Sequence, residues 1–338
     1  MQDGKIVALG QSDASGAQCF ALARYTADGR LDTTFNGTGV VTTSFGRMWQ
    51  RGEGVAIQQG KILAIGNVSD GSGGSDLALA RYNLNGALDT TFGAGTGKVI
   101  TNFDTGDNIY QVAVYPTGSE YANYIVVVGE IYGPNHGGYS NLLVARYKPD
   151  GSLDTTFGDG GLVVDRHDNV GYDVALQPDG KIVVAGVQVL WEPAFHVDFF
   201  AARYDTSGNL DPTFGSVGSV ATQIPNLAAS AQSVLIQPDG KIVLTGYGYD
   251  AAQRYYIALA RYDTYGTLDA SFGASGAAGA SAASPAALTD AALADAGRQQ
   301  LALAALLQYE DQLQAKPAAR SKGLELPAVD LALADLAG

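Results

Sequence analysis

Three short motifs recur in the same order five times along the chain, and this repetition restricts the fold more than any other feature. The first motif, typified by Asp-Gly-Lys-Ile-Val, occupies residues 3–7, 60–63, 124–127, 179–183 and 239–243. The second, Ala-Arg-Tyr, occupies residues 23–25, 80–82, 145–147, 202–204 and 260–262. The third, Leu-Asp-x-x-Phe, occupies residues 31–35, 88–92, 153–157, 210–214 and 268–272. A period of this size indicates stacked supersecondary units.

Each unit contains four short apolar or alternating runs separated by turn residues. In the fourth unit the runs are residues 174–177, 181–186, 199–204 and 210–214, which we name strands a, b, c and d. They are rich in β-branched and aromatic residues, and Asp-Gly turns connect them. A repeated four-stranded meander of this length predicts an all-β fold, a β-propeller-like array of five four-stranded antiparallel blades.

The motifs also carry a family resemblance. Gln-Pro-Asp-Gly-Lys-Ile-Val at 177–183 and 237–243, Ala-Leu-Ala-Arg-Tyr at 21–25 and 258–262, and Leu-Asp-Thr-Thr-Phe-Gly at 153–158 resemble the delta-60 repeat of bacterial, often secreted or surface, proteins. The resemblance covers residues 2–273 and implies a β-propeller-like fold and an extracellular or cell-surface location. It implies no biochemical role. The third unit departs from the pattern, because residues 117–123 replace its Pro-Asp-Gly-Lys turn.

The two ends of the repeat region predict incomplete blades. The first unit has no segment for strand a, and the fifth unit passes from Gly273 into Ala-Ser-Gly, so we expect the first and last blades each to lack a strand. A propeller protects its edges when one terminus completes the last blade. Three arrangements remain open: an open arc, closure by a C-terminal segment, or a homo-oligomer assembled through open blade edges or the tail.

Residues 274–338 differ in composition from the repeats. The sequence predicts a propeller over residues 1–273, a flexible linker over 274–284, and an Ala/Leu-rich helical tail over 285–338. Ser284 and Pro285 are typical of a helix N-cap and first helical position, and Pro317 ends the helical pattern. The last stretch, 323–336, is predicted as a second short helix or an added strand.

Charge and composition exclude several classes of partner. Lys and Arg number 20 against 34 Asp and Glu, a formal net charge of -14, which disfavours binding to nucleic acid. No run of about 18 apolar residues exists, so no membrane insertion is expected, and no secretory signal is visible. A single cysteine, Cys19, excludes an internal disulfide framework.

The order of the strands predicts which loops share a face. In an antiparallel meander the b-to-c and d-to-a connections lie at one end of the blades, and the a-to-b and c-to-d turns at the other. The b-to-c loops are long and variable in sequence, at residues 67–76, 130–141, 187–198 and 247–255. We expect any ligand on this variable face, because the connections of the opposite face are predicted to be short and repetitive.

Aromatic residues and histidines concentrate on the variable face. The predicted ligand-binding residues are Trp49, Tyr132, His136, Tyr139, His167, Trp191, His196, Tyr247 and Tyr249. Aromatic rings beside polar groups suit the apolar faces of sugars or a protein interface. The three histidines form no known metal motif, so no metal or other cofactor is expected.

No catalytic motif occurs in the chain: a GxSxG elbow, a phosphate loop and HExxH are all absent. The five arginines of the Ala-Arg-Tyr motif invite a reading as an anion ring, but each precedes an Asp at a fixed interval, which favours a repeated structural ion pair. The sequence therefore predicts a non-catalytic binding propeller for a carbohydrate or a protein. The alternatives are a polysaccharide-active enzyme, with acids assembled in the central cleft, and a purely structural surface protein.

Overall fold

The computed structural model describes residues 4–13, 18–69, 71, 74–103, 106–132, 140–165, 167, 169–190, 196–273 and, for the backbone, 277–281. The chain forms nineteen strands in this region: β1 (Ile6–Ser12), β2 (Cys19–Tyr25), β3 (Val40–Thr43), β4 (Trp49–Gln58), β5 (Lys61–Ser69), β6 (Asp76–Tyr82), β7 (Lys98–Thr101), β8 (Asp107–Val114), β9 (Ile125–Ile131), β10 (Asn141–Tyr147), β11 (Leu162–Asp165), β12 (Asn169–Leu176), β13 (Ile182–Leu190), β14 (His196–Tyr204), β15 (Ser219–Thr222), β16 (Ala228–Ile236), β17 (Ile242–Tyr249), β18 (Tyr255–Tyr262) and β19 (Ala277–Ser281). In these described segments, no helix is long and apolar enough to cross a membrane.

The strands form five antiparallel sheets, which are propeller-like blades. Blade 1 has three strands in the order β1-β2-β3, and blades 2 to 5 have four each, β4 to β7, β8 to β11, β12 to β15 and β16 to β19. In blade 1, β1 begins at the isoleucine of the Lys-Ile-Val motif and is therefore strand b, so among the described residues this blade has three strands and no strand a, as predicted. The all-β class and the five blades are confirmed as well.

The position of strand d corrects the sequence prediction. The Leu-Asp-x-x-Phe motif was predicted to be strand d, but only its leucine bridges to strand c, as Leu210 does to Tyr204. The Asp211 carboxylate accepts hydrogen bonds from the Thr213 N–H at 3.0 Å and the Thr213 hydroxyl at 2.7 Å. An aspartate that binds the backbone two residues ahead forms a turn. The outer strand therefore begins later, at Ser219 in blade 4.

Blade 5 corrects a second prediction. It was expected to lack its outer strand, but β19 pairs antiparallel with β18, with Ala260 opposite Ala277 and Tyr256 opposite Ser281. This strand lies inside residues 274–284, where the sequence predicted a linker. The reason is the same delayed start: strand d follows the Leu-Asp-x-x-Phe turn by several residues. The predicted helical tail, residues 285–338, lies outside the described residues.

Four hydrophobic clusters lie between successive blades. Each cluster joins the face of one blade to the facing surface of the next, from blade 1 and blade 2 through to blade 4 and blade 5. The phenylalanines of the first four Leu-Asp-x-x-Phe motifs are fully buried, one in each cluster, and these residues are Phe35, Phe92, Phe157 and Phe214. Among the described strands, no such cluster joins blade 5 to blade 1.

The arginine of Ala-Arg-Tyr is a structural tie between blades. The Arg146 Nε donates to the Asp154 carboxylate at 2.7 Å within blade 3, and its Nη1 donates to the Thr206 carbonyl of blade 4 at 2.6 Å. Equivalent bonds run from Arg24 to the Leu84 carbonyl, from Arg81 to the Pro149 carbonyl and from Arg203 to the Thr264 carbonyl. These guanidinium groups hold neighbouring blades together and are buried, which accounts for the repetition without an anion ring.

The acid of each tie is held in its charged form. Burial alone raises the pKa of Asp154, but hydrogen bonds from Thr156 and Arg146 outweigh it and hold the pKa below the usual range. In the other four blades a lysine of the Lys-Ile-Val motif also pairs with the aspartate, as Lys61 does with Asp89 at 2.7 Å. The third unit lacks that lysine, and the Tyr121 ring lies over the Arg146 guanidinium at 4.3 Å instead.

We expect Arg146→Met to destabilise the protein by about 3–5 kcal/mol, because it leaves the buried Asp154 carboxylate without its cation. Urea unfolding followed by circular dichroism measures this change. The control is Arg30→Met, which removes an exposed pair with Asp28 and should change the unfolding free energy little. Equal losses in the two variants would contradict the tie.

A second bond between blades is sensitive to pH. Asp173 of β12 is buried and accepts hydrogen bonds from the Ser233 hydroxyl and the Val234 N–H of blade 5, both at 2.8 Å. Burial raises the pKa of Asp173 to about 6, although these hydrogen bonds oppose the shift.

We expect Asp173 to lower the stability of the protein as the pH rises from about 4 to about 6. In this window the unfolded carboxyl ionises while the folded one keeps its proton, and the loss reaches roughly 3 kcal/mol above it. Unfolding free energies measured across the window should show this slope in the wild type and lose it in Asp173→Asn. The exposed Asp159→Asn is the control and should keep the slope; a slope that persists in Asp173→Asn would contradict the assignment.

Candidate functional site

The two ends of the blades carry different connections, as the strand order predicted. Every neighbouring pair of strands is antiparallel, so the b-to-c and d-to-a connections meet on one face, the variable face. The c-to-d connections on the opposite face are long, for example residues 83–97, but they repeat the same Leu-Asp-x-x-Phe turn in each blade. The variable face therefore holds the differences between units.

A cleft of about 700 Å³ opens on the variable face between blades 2 and 3. Trp49, at the start of β4, and Tyr132, directly after β9, both line it, and the Tyr132 side chain is half-exposed. The other lining residues are small, polar or acidic: Ser69, Gly71, Gly74, Ser75, Gly106, Asn108, Glu130 and Ser140. The cleft thus combines two aromatic residues with hydroxyl, amide and carboxylate groups, and none of the lining residues that the structure describes is cationic.

Glu130 has the most defined surroundings in the cleft. It lies on β9 directly opposite Asn108 of β8. Its Oε1 accepts hydrogen bonds from Asn108 Nδ2 at 3.1 Å and from the Tyr110 hydroxyl at 2.5 Å. Both donors bind the same oxygen, and among the described residues Oε2 receives no hydrogen bond. A fixed carboxylate with one oxygen left over is a suitable acceptor for a ligand hydroxyl or ammonium group.

Tyr110 is placed by a β-bulge. The pairing of β8 with β9 shifts between Ile109 and Gln111, so Tyr110 is the extra residue. Burial raises the pKa of Tyr110 far above its usual range, and the nearby Glu130 carboxylate raises it further. The hydroxyl therefore keeps its proton and remains a donor to Glu130. Its ring packs on Tyr172, with 5.3 Å between the ring centroids.

The same bulge recurs in the inner strand of all four complete blades. The extra residues are Glu53, Tyr110, Tyr172 and Gln232, in β4, β8, β12 and β16. A bulge turns a side chain away from the regular alternation of the strand, and bulges are frequent beside functional sites. The residue at this equivalent position is Glu, Tyr, Tyr or Gln, whereas the arginine of the inter-blade tie is the same in every unit.

Asn67 of β5 links blade 2 to the strand of blade 3 that carries Tyr110. Its Nδ2 donates to the Ile109 carbonyl at 3.1 Å, and its Oδ1 accepts from the Ile109 N–H at 2.7 Å. This pair of bonds fixes β8 against blade 2 directly beside the Tyr110 bulge. Asn67 Nδ2 also lies 3.4 Å from the Glu53 carboxylate, which pairs with Arg51 at 3.0 Å.

The structure brings some of the predicted ligand-binding residues together and separates others. Trp49 and Tyr132 line the same cleft. Tyr247 and Tyr249 lie on β17 of blade 5 and pack around Tyr255, with ring centroids 6.2 and 6.1 Å apart. Three other predicted ligand-binding residues, His136, Tyr139 and Trp191, lie outside the described residues.

The two described histidines each pair with a nearby aspartate. The exposed His167 contacts the Asp165 carboxylate, and His196 Nε2 lies 3.2 Å from Asp198. Burial raises the pKa of Asp198, and His196 opposes the shift. Within the described segments, no group of three or more His, Cys, Asp or Glu residues lies together as metal ligands do.

The reasoning from sequence missed Glu130, Asn108 and Tyr110. A closer comparison of the repeats contains a signal for Glu130, because the glycine of strand b is followed in the five units by Gln11, Asn67, Glu130, Val187 and Tyr247. A position whose polarity differs between the repeats, next to a glycine that all five share, is a candidate for a function specific to one unit. The bulge residues carry no such signal, because a one-residue shift in register depends on the pairing between strands.

The repeats match a family model. Residues 2–35, 60–92, 124–157, 177–214 and 237–272, together more than half of the chain, match the family described as a domain of unknown function, the DUF5122 beta-propeller. The chain belongs to this family. The family description assigns a propeller and no activity, which agrees with the five blades. No curated protein matches the sequence.

Three solved structures are similar to the chain at low sequence identity. The first is the native arabinanase Arb43A of Bacillus subtilis, with 10% sequence identity and a TM-score of 0.37, and the match covers 76% of this chain and 90% of that one. The second is an exo-1,5-alpha-L-arabinanase from a bovine ruminal metagenomic library, with 10% identity and a TM-score of 0.37, and the match covers 79% of this chain and 92% of that one. The third is an alpha-L-arabinofuranosidase from Clostridium thermocellum, with 11% identity and a TM-score of 0.35, and the match covers 75% of this chain and 82% of that one.

Proposed function

We propose that this DUF5122 propeller is a non-catalytic binding protein that recognises a carbohydrate in the cleft between blades 2 and 3. The observation that carries the proposal is the combination of Trp49 and Tyr132 with the Glu130 carboxylate around one cavity. Aromatic rings pack on the apolar faces of sugar rings, and a carboxylate accepts hydrogen bonds from sugar hydroxyls. A volume of about 700 Å³ lies within the usual range of ligand sites.

The polar groups of the cleft support a hydroxyl-rich ligand. Ser69, Ser75 and Ser140 add hydroxyl groups around the carboxylate, and Asn108 adds an amide. The Ser75 hydroxyl already donates to the Asp107 carbonyl at 2.6 Å, so part of this lining is fixed before a ligand binds. Preorganised groups lose little conformational entropy on binding.

The acidic character of the cleft supports a neutral or amine-bearing sugar over an acidic one. Glu130 is the charged residue among the described lining residues, and the whole chain has a formal net charge of -14. A uronic acid would place its carboxylate beside Glu130, where like charges repel.

We expect Trp49→Ala and Tyr132→Ala each to weaken glycan binding about tenfold, because each removes an aromatic surface at the cleft. An array of neutral, amine-bearing and uronic-acid-containing oligosaccharides identifies the ligand, and calorimetry on the best neutral or amine-bearing glycan measures the change. Tyr265→Ala is the control, since this exposed tyrosine lies in the c-to-d turn on the opposite face. Equal binding by all three variants, or a preference for uronic acids, would contradict the proposal.

An enzyme remains the second candidate, because one observation favours it. Two carboxylates, Glu53 and Glu130, both act on the pKa of Tyr110 and so lie near the same side chain. Glycoside hydrolysis uses two carboxyl groups on either side of a sugar linkage.

We expect the wild-type protein to release no reducing ends from a mixture of polysaccharides, since the proposed site binds its ligand without cleaving it. Chromatography of the products with a reducing-sugar assay checks this. The opposite result would be products that Glu130→Gln and Glu53→Gln abolish and Tyr265→Ala does not. In that case the enzyme hypothesis is correct and the binding hypothesis is wrong. Absence of both turnover and binding would leave a purely structural role.

A further inference from the structure

The Glu130 carboxylate in the cleft binds two neutral partners and no cation of the described residues. Its hydrogen bonds come from the Asn108 amide and the Tyr110 hydroxyl, and both end on Oε1. No ion pair joins it to a lysine, arginine or histidine in the described part of the chain. The side chain is partly buried, and a carboxylate that leaves water without a cationic partner is unfavourable. A ligand with a positive charge would relieve this cost.

The two arginines nearest to Trp49 in the sequence are already paired with other acids. Arg51 Nε lies 3.0 Å from the Glu53 carboxylate, and Arg47 Nη2 lies 3.3 Å from the Asp76 carboxylate. These pairs hold both guanidinium groups on acids outside the cleft lining. The formal net charge of -14 adds a longer-range attraction for cations.

Two hydroxyl groups of the cleft have already donated their protons to the backbone. The Ser75 hydroxyl donates to the Asp107 carbonyl at 2.6 Å, and the Ser69 hydroxyl donates to the Gly74 carbonyl. A serine hydroxyl has one proton and two lone pairs, so these oxygens can only accept a hydrogen bond from a ligand. Together with Oε2 of Glu130 they make the cleft a site of fixed acceptors.

We propose that the cleft is specific for a sugar with a free amine, whose ammonium group binds Glu130 Oε2. This inference rests on the proposed carbohydrate function and narrows it from neutral or amine-bearing sugars to the amine-bearing class. An ammonium group has three donors and no acceptor, which matches a cleft of fixed acceptors, whereas a sugar hydroxyl both donates and accepts. Aromatic rings such as those of Trp49 and Tyr132 also attract a cation.

A divalent metal ion suits the cleft less well than an ammonium group. Calcium takes six to eight oxygen ligands, several of them from carboxylates. Glu130 is the one carboxylate among the described lining residues, and no group of three or more His, Cys, Asp or Glu residues lies together in the described segments. One carboxylate oxygen with two hydroxyl oxygens matches the three protons of an ammonium group.

Three oligosaccharides that differ in a single group test the proposal on the wild-type protein. Tetramers of β-1,4-linked glucosamine, N-acetylglucosamine and glucose share one backbone and carry an ammonium, an amide or a hydroxyl group at carbon 2. Calorimetry at about pH 6, where the amine is protonated and most carboxylates are ionised, measures their affinities. The glucosamine tetramer should bind at least about tenfold more tightly than the other two, because its bond to Glu130 is charge-assisted.

A charge-neutral variant tests the role of Glu130 itself. Glu130→Gln should bind the glucosamine and glucose tetramers within about twofold of each other, because the amide keeps the shape of the side chain and removes its charge. The control is Asp159→Asn, which removes the same charge from an exposed residue in the c-to-d connection of blade 3, on the opposite face. It should keep the wild-type preference, and thermal unfolding checks that both variants fold.

The outcomes separate this proposal from the carbohydrate function on which it rests. Equal binding of the three tetramers, or a preference that persists in Glu130→Gln, would overturn the amine specificity. The carbohydrate function would still stand if Trp49→Ala weakened their binding. Binding of none of the glycans would overturn both. Trilysine supplies ammonium groups without a sugar, and equally tight binding of this peptide would overturn the assignment to a sugar.

Discussion

The buried guanidinium that links one blade to the next is the interaction on which the packing of successive blades depends. Arg203, for example, binds Asp211 of its own turn at 2.8 Å and the Thr264 carbonyl of blade 5 at 2.6 Å, while its charge lies over the Phe214 ring. A buried cation without these partners would be unfavourable by several kcal/mol. The turn that supplies the aspartate and the phenylalanine must therefore keep its shape, and this explains why the Leu-Asp-x-x-Phe motif is repeated so closely.

The tie also separates the parts of the molecule that repeat from the parts that differ. Arginine, aspartate and phenylalanine occupy the face with the a-to-b and c-to-d connections, where each blade must meet the next in the same way. The opposite ends of the strands carry no such constraint, and there each unit has its own loop and its own residue after the glycine of strand b. The cleft between blades 2 and 3 arises at this unconstrained end, where Trp49, Glu130 and Tyr132 come together.

The site itself depends on contacts between units as much as on the lining residues. Asn67 of blade 2 holds both backbone groups of Ile109 in blade 3, and the neighbouring Tyr110 then reaches Glu130. A β-bulge supplies the one-residue offset that makes this possible. The chemistry of the cleft is therefore set by one pair of inter-blade hydrogen bonds, one bulge and one cross-strand pair.

Most of the architecture follows from the sequence, because strands b and c, the turns between them and the five-fold repetition are local patterns. The same local order assigned the b-to-c and d-to-a loops to one face, and with them Trp49 and Tyr132. Three features required the tertiary structure: the late start of strand d, the completion of blade 5 by β19, and the pairing of Glu130 with Asn108 and Tyr110. Each depends on which residues lie opposite one another across two strands, and register is decided by contacts between residues far apart in the chain.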